Sequence, residues 1–264
     1  MERFKKYETE VNAFAASVAA IDGKDVLTLE VAANALASLA HVTDDKGMAL
    51  KAVSLAKKAN NDTTAGGNVL LTAGDEANKE SVLKKAELLK SEETKDGKFA
   101  YERLVFFMNY ETKLGGMERY NGIYKAFADT ETTDALDTAL YMAACVDAAS
   151  IMNQMVYEYF DGCLKCFKAA YINFAAEKNE ETGLYGDSKA ATLIGAYAIL
   201  KACRLKGLLS EKHAEEGYAG FEAAISKGDY SDFEKAAAVL AYAEGLRNRD
   251  YQDYGRANGG VLWS

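Results

Sequence analysis

Two carboxylates three residues apart, Asp134 and Asp137, are the residues whose type and spacing most readily suggest chemistry in this chain. On a helix that spacing puts both side chains on one face. They stand at the start of the stretch 133–160, TDALDTALYMAACVDAASIMNQMVYEYF, which is crowded with Ala, Leu, Met and Tyr. A carboxyl working as general acid or base needs a raised pKa, and apolar surroundings raise it by desolvation. The alternative is structural, because Asp is favoured in a first helical turn, where it offsets the helix dipole. Spacing alone leaves both readings open.

Other catalytic patterns find little support. The four cysteines are Cys145, Cys163, Cys166 and Cys203, of which CLKC is the only close pair. A closed zinc site generally takes two such pairs, so small buried side chains account for them better, and no metal or cofactor is expected. A Ser-His-Asp triad would need His41 or His213, and His213 lies in the solvated run EKHAEE. There is no phosphate-binding glycine loop and no dinucleotide fingerprint. Asp44 and Asp45 read as a helix-ending turn.

The totals narrow the classes further. The chain has 264 residues, 49% hydrophobic and 27% charged, with a net charge of −9. Without a basic tract it has no means of neutralising phosphates, which argues against nucleic-acid binding. No uninterrupted apolar run reads as a membrane span. The start, MERFKKYETEVNAF, is charged and amphipathic rather than a secretory signal, so a cytoplasmic protein is the expectation. Proline is absent. Average usage would supply about a dozen, and their absence fits a chain that is nearly all helix.

The elements that must position the two carboxylates are helical throughout. Phe4, Tyr7, Val11, Phe14, Val18 and Ile21 recur at helical spacing and predict one amphipathic helix ending before Gly23. Helices follow in LTLEVAANALASLAHV, MALKAVSLAKKA, NVLLTAG and ESVLKKAELLKSEE, and FAYERLVFFMNYE is read as helix by its neighbours. GGMERYNGIYKAFAD is another. The central stretch continues beyond Gly162 through CLKCFKAAYINFAAEK. After the loop NEETGLYGDS come a helix closing on Gly207, one that Ser210 can cap, and one opened by the capping box Ser231 and Glu234. The tail from Asn248, with Tyr, Asp, Arg, two glycines and the only Trp, changes character. That makes roughly eleven or twelve helices in a single all-α domain over 1–264, with short loops that imply antiparallel hairpins. Six hairpins can close into an (α/α)6 toroid whose inner ends form a cup; an open solenoid is the competitor, but no fixed repeat is present.

From EETGLYGDS onward the chain resembles unsaturated rhamnogalacturonyl and unsaturated glucuronyl hydrolases, glycoside hydrolase families 105 and 88. The TGL-aromatic loop, a helix containing AYA, a glycine-leucine turn and a helix with spaced aromatics carry the likeness. ALDTALYMA is similar to the family's W-L-D-G-L-Y-M segment, and YGRANGGVLWS resembles its W-G-R-x-x-G-W segment, here at the chain end. The resemblance spans about Asn109 to Trp263. It implies hydration of the 4,5 double bond in an unsaturated uronic acid ending a pectin or glycosaminoglycan fragment. Asp137 would be the acid/base, with Asp134 assisting. Arg256 would hold the uronate, Tyr254 and Trp263 would stack on sugar rings, and Tyr141 and Asn258 would also bind substrate. The partner implied is a small oligosaccharide. Ala135 replaces the family's Trp, no histidine lies near the TGL loop, and Gly260 stands where a second Trp is expected. A carbohydrate-binding toroid without chemistry, or a helical scaffold, is therefore the alternative.

Overall fold

A computed structural model of the chain describes residues 2–23, 25–59, 64–73, 95–152, 156–226 and 228–258, the last ten as backbone only. It is all-α: among the described residues extended pairing is confined to isolated bridges at Lys178, Tyr185 and Ser188. We number the helices α1 (Glu2–Lys5), α2 (Glu8–Ala19), α3 (Val26–Thr43), α4 (Lys46–Ala59), α5 (Gly67–Ala73), α6 (97–115), α7 (Tyr120–Ala128), α8 (Ala135–Met152), α9 (Tyr157–Ala176), α10 (Lys189–Arg204), α11 (Ser210–Ile225) and α12 (Asp232–Asn258). The expected helix in ESVLKKAELLKSEE lies outside the described residues.

The helices close as an (α/α)6 toroid, not an open row. The inner ring runs α3, α5, α6, α8, α10, α12 and back to α3, each packed on the next. Helices α2, α4, α7, α9 and α11 lie outside it. Contacts between neighbours show that the inner helices run parallel. Just before α5, Thr64 bonds the Glu102 carbonyl of α6 at 3.0 Å, and farther along both Asn109 bonds Asn68 at 3.2 Å. Helices α10 and α12 are tied first by Lys189 and Glu234 at 3.7 Å and later by Arg204 and Glu244 at 2.6 Å.

Inner helices are enclosed by protein, and their composition follows from that. Helix α8 is buried on almost every face, as its apolar sequence predicts. The same property gives Val26–Thr43 and Ala135–Met152 the length and mean hydropathy, 1.4 and 1.3, of a membrane span. Both bury that surface inside the ring, so the expectation from apolar runs understated how hydrophobic these two helices are.

Several boundaries differ from the sequence reading. The N-terminal helix breaks at Lys6–Tyr7, where the Tyr7 amide bonds the Phe4 carbonyl at 3.0 Å. The break lets Phe4 pack among Tyr218, Phe221 and Tyr242, with ring centroids 5.2–5.3 Å away, joining the chain's start to α11 and α12. The central stretch is two helices, because Val156 at φ −126°, ψ 84° caps a new one at Tyr157. Leu209, not Ser210, occupies the cap position of α11. The α12 backbone stays helical to Asn258, through the start of the tail. The Ser231 and Glu234 capping box forms as expected, at 2.8 and 3.2 Å. Turns made without proline use left-handed residues instead: Asp44, Met117, Asp187, Lys206 and Asp229 all have positive φ.

Gly97 sets the spacing between α6 and α8, since a Cβ there would fall inside contact distance of the Asp137 carbonyl oxygen. Gly97→Ala should lower the unfolding free energy by about 2 kcal/mol in urea titrations. Helix propensity alone would raise it by about 0.5–1 kcal/mol, so a stabilised variant would contradict this packing.

Candidate functional site

Asp137 sits at the N-terminal rim of the ring, 8% exposed. Its Oδ1 accepts the Lys98 amide at 3.0 Å and its Oδ2 accepts the Thr133 amide at 3.1 Å. Asp134 Oδ1 in turn accepts the Asp137 amide at 2.9 Å. Asp134 thus does what a first-turn Asp does for a helix start, and Asp137 ties the beginning of α6 to the beginning of α8. Both Asp137 oxygens are occupied by backbone donors. Tyr141 is 6% exposed, and its hydroxyl donates to the Phe127 carbonyl at 2.6 Å. Burial raises its phenol well above the usual range. The side chains of Tyr254, Arg256 and Asn258, and all of Trp263, lie outside the described residues. The structure brings Asp134 and Asp137 together and packs Tyr141 into the core against α7.

Among the described residues, concave space is found at the other end of the ring. Two joined chambers of about 300 and 570 Å3 share Asn34, Ser38, Asn68 and Thr72 and are lined by inner helices, the outer one also by the α3–α4 turn and the outer helix α4. The inner chamber adds Asn109, Thr112, Lys113, Asp147, Tyr197 and Lys201. The outer chamber adds His41, Asp44, Asp45, Lys46 and Arg247 near the rim. Asp147 is ten residues beyond Asp137 on α8, about 15 Å along the helix axis.

The inner chamber is organised around one carboxylate. Asp147 Oδ1 accepts from the Tyr197 hydroxyl at 2.5 Å and from Lys201 Nζ at 2.7 Å, and Lys201 also reaches the Tyr197 oxygen at 3.0 Å. Burial and the Asp147 charge both push the Tyr197 phenol well up. Below it, Asn34 donates to the Tyr101 hydroxyl at 3.1 Å. One turn earlier on α3, Glu30 is wholly buried with Oε1 3.4 Å from the Gly66 amide. Its Oε2 has no hydrogen-bond partner among the described residues. Burial, reinforced by the Glu102 charge, holds the Glu30 carboxyl well above its usual value of 4.5. Toward α12, Arg204 and Glu244 form a buried pair at 2.6 and 3.3 Å.

Sequence reasoning missed this cluster. The signal was present: Asp147 interrupts the apolar stretch that holds Asp137, and Glu30 interrupts LTLEVAANALASLAHV. Charged residues inside helices that are apolar all round are buried polar groups and need partners. Among the described residues no group of three His, Cys, Asp or Glu is placed to hold a metal ion, and Cys145, Cys163 and Cys203 are buried.

No protein-family model matches the sequence, and no curated protein is similar to it in sequence. In three dimensions the chain is similar to the crystal structure of a possible member of the GH105 family from Salmonella enterica serovar Paratyphi A. The TM-score is 0.75 at 12% identity, covering 94% of this chain and 95% of that one. At this identity the likeness establishes the shared toroidal fold.

Asp147→Asn leaves the nearly buried Lys201 ammonium without its counter-charge, and should cost about 3 kcal/mol of unfolding free energy. Adding Lys201→Met should recover most of that loss; an unrecovered loss would contradict the pairing. Glu30 has a raised folded-state pKa, so on unfolding at higher pH it releases a proton. Its contribution is fully present below 4.5 and declines as pH rises. Glu30→Gln should therefore gain stability relative to the parent between about pH 4 and about pH 7 in urea titrations. A difference that stays flat with pH would contradict the burial.

Proposed function

We propose that the protein is a saccharide-binding toroid whose ligand occupies the cup between the C-terminal halves of the inner helices. The observation that carries this reading is the chemistry of the cup wall. Three amides (Asn34, Asn68 and Asn109) and several hydroxyls surround one Asp147–Tyr197–Lys201 cluster. Amides offer donors and acceptors together, and hydroxyls do the same, which suits a ligand whose own surface is hydroxyl groups. The fold shared with a possible glycoside hydrolase supports the choice of a saccharide over other hydroxylated molecules.

A second reading is favoured by the same fold and by the resemblance of ALDTALYMA. It is hydrolysis of unsaturated uronic-acid-terminated oligosaccharides by hydration of the 4,5 double bond, with Asp137 as acid/base and Asp134 assisting. Arg256, Tyr254, Asn258 and Trp263 would then engage the sugar. For this, Asp137 would work through the lone pairs that the Lys98 and Thr133 amides leave unused.

One pair of variants separates the two. Ser38 borders both chambers, so Ser38→Trp fills the cup. Titration calorimetry with an unsaturated uronyl disaccharide should show saturable binding that Ser38→Trp abolishes and Asp137→Asn leaves intact. Loss of the sugar's ultraviolet absorbance that depends on Asp137, and survives Ser38→Trp, would replace the cup with the N-terminal rim as the working site.

A further inference from the structure

Arg247 is a cation in the cup wall with no assigned partner. It lines the outer chamber from α12, and no carboxylate among the described residues pairs with it. By spacing the candidates on the same helix are Glu244, three residues earlier, and Asp250, three later, whose side chain lies outside the described residues. Both Glu244 oxygens are already taken by the Arg204 guanidinium, at 2.6 and 3.3 Å. Burial, and then the like charge of Arg204, draw the Arg247 pKa below its usual value, with Glu244, Tyr197 and Asp147 only partly opposing them. The ring therefore holds a guanidinium whose charge its own surroundings leave under-compensated, and it faces open space.

We infer that Arg247 is the anion-selecting residue of the cup, where it receives the carboxylate of an acidic sugar. This rests on the saccharide reading above and adds which ligands the cup prefers and how they are oriented. A guanidinium fork matches a planar carboxylate in two parallel hydrogen bonds, and a desolvated setting strengthens them. The rim offers no comparable site. His41 and Lys46 are exposed there beside Asp44 and Asp45, so an anion stopping at the mouth meets both signs of charge. Asp45 is in addition occupied by the Met48 amide at 3.0 Å, at the start of α4. An acidic sugar would place its carboxylate against Arg247. Its ring would reach past Ser38 and Thr72 toward Asn109 and Asp147.

The test is titration calorimetry of galacturonate, its neutral parent galactose and inorganic sulfate against the parent protein, Arg247→Gln and Arg247→Lys. Galacturonate should bind about tenfold tighter than galactose. That preference should vanish in Arg247→Gln and persist in part in Arg247→Lys. The unfolding temperature of Arg247→Gln should equal or exceed that of the parent, because the change removes a half-buried charge that no described carboxylate pairs with; a purely structural arginine would lower it. Equal binding of both sugars by the parent, or an unchanged preference in Arg247→Gln, overturns the assignment while leaving the saccharide cup standing. Binding of sulfate, lost in Arg247→Gln, with neither sugar bound keeps the anion site and overturns the saccharide reading. Binding of none of the three overturns both.

Discussion

Charges inside the ring of this protein are held mainly in pairs, and the pairing dictates what the ring can do. A carboxylate or ammonium taken out of water costs several kcal/mol unless a partner and hydrogen bonds offset it. Asp147 meets Lys201 and Tyr197, and Arg204 meets Glu244, in each case between neighbouring inner helices. Those contacts fix α8 against α10 and α10 against α12 at defined heights. Glycines on the outward faces of these helices admit aromatic rings from the outer layer: Gly195 on α10 leaves room for Phe174 of α9, and Gly245 on α12 for Phe4. Apolar packing closes the toroid, and the ion pairs set its register.

The two ends of the ring differ in how their polar atoms are used. At the N-terminal rim, side-chain oxygens serve the backbone. Asp25, Asp96, Asp134, Asp137 and Ser188 each accept amides at or near a helix start. Their capacity is taken up by satisfying helix termini, which otherwise leave donors exposed. At the C-terminal end the polar groups belong to helix interiors, whose backbone is already bonded. Their side chains are free to face a cavity. Helix α6 contributes to this through two π-helical segments, Ala100–Leu104 and Glu111–Gly115, bracketing the turn that carries Asn109 into the cup. Such segments often accompany sites where a helix re-aims its side chains.

Much of the fold was legible in the letters, and less of the site. Apolar periodicity and the lack of proline implied an all-helical chain, and the apolar stretch after Asp137 identified an enclosed helix. The break at Tyr7 was not readable, because Phe4 keeps the same period on either side of it and departs only to fill a space made by α11 and α12. Nor was the division of the central stretch, which lacks glycine between Tyr124 and Asp161. For the site, spacing drew attention to Asp134 and Asp137, since two acids on one face are conspicuous. Asp147 and Lys201 are 54 residues apart and meet only through tertiary packing. A single charge inside an apolar helix was the one available signal, and it identifies a buried group without naming its partner.

The central claim is that ligand enters the cup at the C-terminal ends of the inner helices and not the rim at Asp137. Backbone amide shifts in an NMR titration with galacturonate test it directly, because both ends are monitored at once. The expected result is a set of shifts confined to residues 34–41, 68–73, 105–113, 147–151, 197–201 and the turn containing Arg247. Shifts centred instead on Lys98, Thr133 and the loop at 182–188, with the cup residues unmoved, would contradict the account.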